Sequence, residues 1–303
     1  MQRTIAPLPA DRLDDALALA RTLDLGVRLD ARWLRRLTFE DASCPPELLL
    51  VAEVDGALAG LCLGALRAGR GVVKLFGVTP RLRRRGIATA LFDALEERLC
   101  AVGATEVCVE GVAPSYLLPG VDLAHTEAVA FLLQRGYETK RESRVDMAVH
   151  LHRVDLDTRD VLDRLAAEGI VIKRASPDEV DATAAMARET FSAEWAAEVS
   201  EAAYFDPLPL FIAREGARIV AFAAYDVTGP ARFGPTGTDP AYRRRGIGGA
   251  LLKECLRSLR DRGEVVAAIG WAGPIGYYAR AVGARIHRVY WSFAKALAEA
   301  PET

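Results

Sequence analysis

The sequence predicts an α/β (α+β) protein built from two copies of one domain, and three observations carry that prediction. A fourteen-residue segment occurs twice, at 78–91 and at 238–251, with Pro, three Arg, Gly, Ile, Ala and Leu identical. Strand and helix signals follow the same order around both copies. The 303 residues divide naturally into two domains of about 150. A repeat at this distance marks duplication of a whole folding unit.

The elements of the first copy follow from apolar spacing. Leu13, Leu17, Leu19 and Leu23 predict a helix over 11–23, and 32–37 predicts a second. Pro45-Pro46 breaks the chain before a strand over 48–54. Asp55-Gly56 then turns into a strand over 58–66, as in a hairpin. Gly69 to Gly71 turns into a third strand, 72–78, which runs into the repeated segment. Leu91, Leu95 and Leu99 stripe a helix over 87–102 that ends at Gly103. A β-rich run over 106–112, a loop over 114–122, a helix over 126–135 and an extended stretch over 137–151 complete the unit.

The second copy repeats this order. A strand over 170–173 and a helix over 177–190 open it, with Pro177 where a missing N–H costs little. A hairpin over 210–214 and 219–227 turns at Glu215-Gly216, and 232–238 forms the strand before the motif. The long helix is 247–259, followed by a strand over 264–271, a helix over 275–282 and a closing strand over 285–297. The expected domains are 1–151 and 170–303, joined by a charged connector, 152–169.

Composition bounds the function. Half the residues are apolar and 26% are charged, as in ordinary globular proteins. No apolar run reaches the length of about 18 residues that a membrane span requires. Met1 to Ala10 lacks the charge pattern of a secretion signal. Five cysteines without CxxC spacing read as free thiols in a reducing, cytoplasmic setting. Four histidines show no zinc-ligand spacing, so no metal is expected. A net charge of −2 gives no basic field for nucleic acid.

The motif is built to hold phosphate. An apolar strand ends, the chain turns through Arg83-Arg84-Arg85-Gly86 or Arg243-Arg244-Arg245-Gly246, and a helix begins at Ile87 or Ile247. The first N–H groups of a helix lack internal partners and lie at the positive end of its dipole. Glycine permits close approach and positive φ, and arginine adds charge-assisted hydrogen bonds. The expected ligand is a di- or polyphosphate on a small cofactor. A Gly-x-Gly-x-x-Gly fingerprint is absent, and no Gly-Lys-Ser/Thr follows, which excludes the Rossmann and Walker loops. The plain alternative is a solvated helix start.

The pattern Val/Thr-x-Pro-x-x-Arg-x-x-Gly-x-Gly/Ala before a leucine-rich helix resembles the acetyl-CoA loop of the GNAT superfamily of N-acetyltransferases. Arg83, Gly86 and Ala88 match it in the first copy, and Arg243, Gly246 and Gly248 in the second. The resemblance extends over both halves. It implies two tandem domains, each a mixed, mostly antiparallel sheet of six to seven strands, splayed between the fourth and fifth to admit the pantetheine of acetyl-CoA. It places the cofactor on Val78, Arg83, Arg84, Arg85, Gly86, Ile87 and Ala88, and on Thr236, Thr238, Arg243, Arg244, Arg245, Gly246, Ile247, Gly248 and Gly249. Independently, Pro235 between Gly234 and Gly237 marks a bulge or an edge in the second copy. Gly77 is expected to do the same more mildly in the first.

The family protonates the leaving thiolate from a tyrosine on the helix after the fifth strand. Tyr278, with Tyr277 before it and Gly283 after it, fits that place with one extra intervening residue; packing is its alternative role. The first copy has Phe131-Leu132 there and departs from the family, leaving Tyr116 or His125 as other candidates. Tandem relatives with one degenerate half, mycothiol synthase among them, are similar in architecture. Asp226 and Glu194 are candidate bases, and Trp195, Trp271 and Tyr204 candidate pocket residues, against surface or core roles. The expected activity is acetyl transfer to the amine of a small molecule, catalysed by the second copy; the alternative is a binding protein in which both loops hold acyl-CoA without chemistry. The acceptor, the general base and the oligomeric state are not legible.

Overall fold

The computed structural model describes residues 3–113, 115–140 and 142–297. The first half contains β1 (Arg3–Pro7), α1 (Leu13–Arg21), α2 (Ala31–Leu37), β2 (Leu49–Val54), β3 (Ala57–Arg67), β4 (Arg70–Val78), α3 (Ile87–Ala101), β5 (Glu106–Val109), β6 (Val121–Asp122), α4 (Thr126–Gln134), β7 (Glu138–Thr139) and β8 (Arg144–His150). The second contains α5 (Arg159–Ala167), β9 (Ile170–Arg174), α6 (Val180–Thr190), α7 (Ala193–Ser200), β10 (Leu210–Glu215), β11 (Arg218–Tyr225), β12 (Arg232–Thr238), α8 (Ile247–Asp261), β13 (Val266–Ile269), α9 (Ile275–Val282), β14 (Arg285–Trp291) and β15 (Phe293–Ala296).

These strands form two mixed sheets, ordered β1-β2-β3-β4-β5-β15-β7 and β6-β14-β8-β13-β12-β11-β10-β9. The second is one strand larger than the sequence suggests. Within each sheet the meander pairs antiparallel, and among the pairings described β4–β5 and β12–β13 are parallel. Tight hairpins join β2 to β3, β3 to β4 and β10 to β11 through two residues each, as at Asp55-Gly56, where both residues have positive φ.

The halves do not close with their own last strands. The extended stretch expected to end the first copy contributes β8, which pairs antiparallel with β13 from Val266↔His150 to Ile269↔Met147. The stretch expected to end the second copy breaks at Ser292, and its last piece, β15, pairs with β5 from Phe293↔Val109 to Ala296↔Glu106. The chain accordingly divides into two compact units, Met1–Arg144 with Tyr290–Thr303, and Val145–Val289. We call them unit 1 and unit 2. The expected connector, with α5, falls within unit 2.

Each unit has its own core. In unit 1, Ile87, Leu91, Leu95 and Leu99 of α3 pack on Leu50, Cys62, Val73 and Val107, with Phe293 wholly buried beside them. In unit 2, Ile247, Leu251, Cys255 and Leu259 of α8 pack on Ala221, Ala223, Phe233 and Ile269, with Met147 and Val149 of β8. Phe191, Trp195 and Phe222 belong to a second cluster on the other face of that sheet. Among the described residues no helix is long and apolar enough to cross a membrane, and no group of His, Cys, Asp and Glu is placed to hold a metal.

Because β15 lies between β5 and β7, truncating its anchor should disrupt unit 1 from the inside. Phe293→Ala is expected to cost about 3–5 kcal/mol, read by denaturant unfolding of the full chain. A loss under about 1 kcal/mol, the range of ordinary surface changes, would refute this placement.

Candidate functional site

Both repeated segments adopt one backbone shape. A single turn of 3-10 helix spans Pro80–Leu82 or Pro240–Tyr242. Arg83 and Arg243 are then extended, at φ −62° and −67°. Arg84 and Arg244 flip to φ 61° and 63°, and Gly86 and Gly246 to 74° and 86°. The two left-handed residues curl each loop into a concave nest whose N–H groups converge. The first helical bonds are Ala90 N–H to Gly86 O and Ala250 N–H to Gly246 O, both 3.1 Å. The N–H groups of 87–89 and 247–249 precede them and have no acceptor within the helix.

The arginines divide their labour. Arg83 Nε donates to Val78 O and Arg243 Nε to Thr238 O, each at 3.2 Å, which locks the loop to its strand. Arg84 and Arg244 are exposed. Arg245 is held by Glu168 through Nε (3.2 Å) and Nη2 (2.6 Å) and lies over the Tyr242 ring. Arg245 and Arg164 together hold the Glu168 carboxyl below its usual range. Ile87 and Ile247 are buried anchors, and Val78 is nearly so. Ala88, Thr236, Thr238, Gly248 and Gly249 are half-buried, and Thr236 Oγ1 donates to Phe222 O at 3.0 Å. A Cβ at Gly248 would lie 3.5 Å from Thr238 Oγ1 and from Tyr277 Oη. Those are ordinary contact distances, so the start of α8 lies against Thr238 and Tyr277.

Next to each loop the sheet forks. The β4–β5 ladder ends at Val73↔Val109, although β4 continues to Val78. The β12–β13 ladder ends at Phe233↔Ile269, although β12 continues to Thr238. A bulge sits at the fork in both. Val73 pairs with Gly64 and Leu75 with Leu63, which leaves Lys74 as the extra residue. Phe233 pairs with Tyr225 and Thr236 with Ala223, which leaves Gly234 and Pro235 opposite Ala224. Pro235 thus lies at a bulge, as its missing N–H suggests. Gly77 does not: it pairs with Leu61, and its missing Cβ admits Leu23, which would otherwise be 2.5 Å away. Gly237 admits the Phe191 ring in the same way, at 2.4 Å.

Unit 2 places a phenol at its fork. Tyr278 is 6% exposed, and its ring meets Phe233, the last paired residue of β12, edge-on at 6.1 Å between centroids. Its hydroxyl makes no hydrogen bond among the described residues, yet is not among their fully buried orphan atoms. Burial pushes this phenol up, with a further contribution from Tyr277, so it stays protonated at neutral pH. In unit 1 the corresponding helix buries Leu132 completely, and Phe131 packs on Phe92 at 5.1 Å. That fork carries no hydroxyl from α4.

The remaining candidates are distributed as follows. Asp226, at φ 61°, accepts from Ala231 N–H (2.7 Å) and from both terminal nitrogens of Arg262. It anchors a turn, with both carboxylate oxygens engaged. Glu194 is exposed in the first turn of α7, its carboxyl lowered by its own N–H and the Ser192 hydroxyl. It caps a helix. Trp195 stacks on Phe191 at 5.1 Å, and Glu198, three residues on, is a buried carboxylate the sequence reading passed over. Trp271 is 41% exposed, in a left-handed conformation, with its N–H on Asp146 Oδ1 at 2.8 Å. Tyr204 is 70% exposed and Tyr116 is buried. His125 precedes α4, with Nε2 buried and without a hydrogen-bond partner among the described residues.

Sequence reasoning also missed Lys74, whose only signal is one charge inside an apolar strand. Its ammonium is 2% exposed and meets Asp41 (2.7 Å), Ser115 Oγ (3.2 Å) and Cys44 Sγ (3.5 Å). Arg67 joins Asp41 at 2.6 Å. The buried cation survives because its three N–H groups are all answered. Unit 1 therefore has an ion pair at its bulge, where unit 2 has glycine and proline and keeps a buried pair of its own, Arg232 with Asp146 at 3.0 Å, one rung before its ladder ends.

A sequence model of the acetyltransferase (GNAT) family matches residues 17–137 and 179–283. An acetyltransferase of Yersinia enterocolitica is 48% identical over 58 residues, which is 19% of this chain and 41% of that protein. One of Photorhabdus laumondii is 36% identical over 100 residues, 32% of this chain and 66% of that protein. The chain thus spans between about two fifths and two thirds of these relatives' own length. A tandem GNAT protein from the clavulanic acid biosynthesis pathway has the same fold over 99% of this chain and all of its own, with a TM-score of 0.72 at 18% identity.

Burial alone would raise the Asp41 carboxyl, but Lys74 and the Ser43 hydroxyl and amide bring it from 3.8 down to about 2. A lowered carboxyl stabilises the fold above its unfolded value and ceases to as pH falls through its folded one. The stability gap between wild type and Asp41→Asn should therefore be full above about pH 4 and close toward about pH 2, measured by urea unfolding. A gap that stays constant across that window would contradict the assignment.

Proposed function

Because the chain belongs to the acetyltransferase (GNAT) family, we propose that it is an acetyl-CoA-dependent N-acetyltransferase acting on the primary amine of a small molecule, with unit 2 as the catalytic unit. The observation that carries this reading is the conjunction, in unit 2, of a nest, a forked sheet and a protonated phenol at the fork. The residues fit the coenzyme on the structure's own terms. Gly246 at positive φ leaves the nest open, the amides of 247–249 lie there, and Arg244 stands exposed beside them. The unpaired edge of 236–238 offers main-chain donors and acceptors to an extended arm, as a strand edge does. When bound, acetyl-CoA supplies a thioester open to attack by an amine.

The chain's own residues then position and exchange protons. The fork holds the coenzyme arm and the acceptor in one place, which turns a bimolecular encounter into an oriented one. Tyr278 carries its proton on Oη at neutral pH and gives it up to the leaving sulfur. Phe191 and Trp195 on the opposite face of β12 keep that side apolar. Unit 1 has the nest and the fork, with Leu132 in place of the phenol and Lys74 paired at the bulge. These features support a unit that binds coenzyme without turnover.

Three measurements test this. Tyr278→Phe should slow acetyl transfer by about a hundredfold and leave CoA affinity unchanged; an unaffected rate on an accepted amine would remove Tyr278 from the mechanism. Arg243→Ala with Arg244→Ala should weaken CoA binding in unit 2 by about 1–3 kcal/mol, and unchanged calorimetric affinity there would count against the nest. Wild-type chain should titrate two CoA equivalents, and a stoichiometry of one would make one loop vestigial.

A further inference from the structure

Each nest is met from outside the repeat by one more arginine, and the two come from unrelated elements. In unit 1 it is Arg3 of β1, whose Nη1 donates to Gly86 O at 3.2 Å and lies 3.6 Å from where a Gly86 Cβ would be. In unit 2 it is Arg164 of α5, whose Nη2 donates to Arg245 O at 2.8 Å and lies 3.1 Å from a Gly246 Cβ. The carbonyl and N–H of a trans peptide point opposite ways. A guanidinium that pins the Arg245 carbonyl outward therefore turns the Gly246 N–H inward, toward the concave side.

Unit 2 adds a carboxylate that unit 1's Arg3 does not bring. Glu168, one helical turn after Arg164, accepts from Arg164 Nη1 at Oε1 (2.8 Å) and from Arg245 Nε (3.2 Å) and Nη2 (2.6 Å) at Oε2 alone. One carboxylate oxygen thus takes both Arg245 donors, the charge-assisted bonds that a phosphate oxygen accepts from the same group. The contacts are half-exposed, with side-chain exposures of 33–34% for Arg245 and Glu168, so the carboxylate exchanges without opening a core.

We propose that α5 sets the coenzyme affinity of unit 2 through two opposed residues: Arg164 is a positioning residue that aims the nest amides at the diphosphate, and Glu168 is a resident anion that occupies Arg245 and is displaced by a phosphate of CoA. This rests on the reading of the nest as a CoA site. Arg164 and Glu168 are partners in one ion pair, so a purely structural role for that pair makes both substitutions act in the same direction. The proposal gives them opposite signs.

The test is calorimetric titration of CoA into the full chain carrying Gly86→Val, which strains the first nest at φ 74° and silences it. Arg83→Glu with Arg84→Glu replaces Gly86→Val should that chain fail to fold. Glu168→Gln should bind CoA about two- to fivefold tighter. Arg164→Ala should bind about tenfold more weakly, and Arg164→Lys should recover part of that loss, because lysine returns the charge and one donor. Circular dichroism melts establish that each chain is folded; if Arg164→Ala is not, Arg164→Lys against Glu168→Gln decides. Glu168→Gln that weakens CoA binding or leaves it unchanged overturns the proposal alone. Absence of CoA binding to unit 2 in the Glu168-containing parent overturns the proposed function as well.

Discussion

The feature on which both units depend is the early end of one parallel ladder. A continuous sheet between β4 and β5, or between β12 and β13, would leave nothing for a ligand to enter, because every strand edge would be spent on its neighbour. The bulges at Lys74 and at Gly234-Pro235 stop that from happening. An extra residue bends its strand and sharpens the local twist, so the two strands leave each other just where the chain is about to turn into the nest. The positive end of α3 or α8 then lies within reach of the opened edge. Fork and nest are two adjacent irregularities, a bulge in the strand and left-handed residues in the loop, and both are repeated.

From this shared frame the units diverge by a few side chains. Unit 2 leaves its bulge uncharged and sets Tyr278 against Phe233. Unit 1 fills the matching place with an ammonium that Asp41, Ser115 and Cys44 satisfy completely. The main-chain geometry of the two nests remains nearly the same, down to the left-handed Arg84 and Arg244. Binding geometry has been kept in both copies, and the groups that handle protons differ.

Much of this was readable in the residues. The repeated Arg-Arg-Arg-Gly-Ile fixes a strand, a nest and a helix, because glycine at a positive φ and an apolar helix stripe are local requirements. Pro235 announced its bulge because an imino acid cannot serve a ladder. Lys74 stayed hidden because an isolated charge in an apolar strand says nothing of the Asp41 that answers it from thirty-three residues away. The turn role of Asp226, one of two candidate bases, was not legible because its φ of 61° and its Arg262 partner are tertiary facts. The destination of β8 and β15 was also illegible, since both strands have the same apolar pattern whichever sheet receives them.

That destination bears on how the polypeptide matures. Chains emerge from the ribosome amino end first, and domains ordinarily fold in that order. Here every strand that unit 2 needs, Val145–Val289, is available before Phe293 has been made. The copy encoded first is thus the copy finished last: its sheet is complete only once translation has passed 293–296 and delivered β15 to the β5 edge. Selection on Phe293–Ala296 is then selection on the half that contains β5.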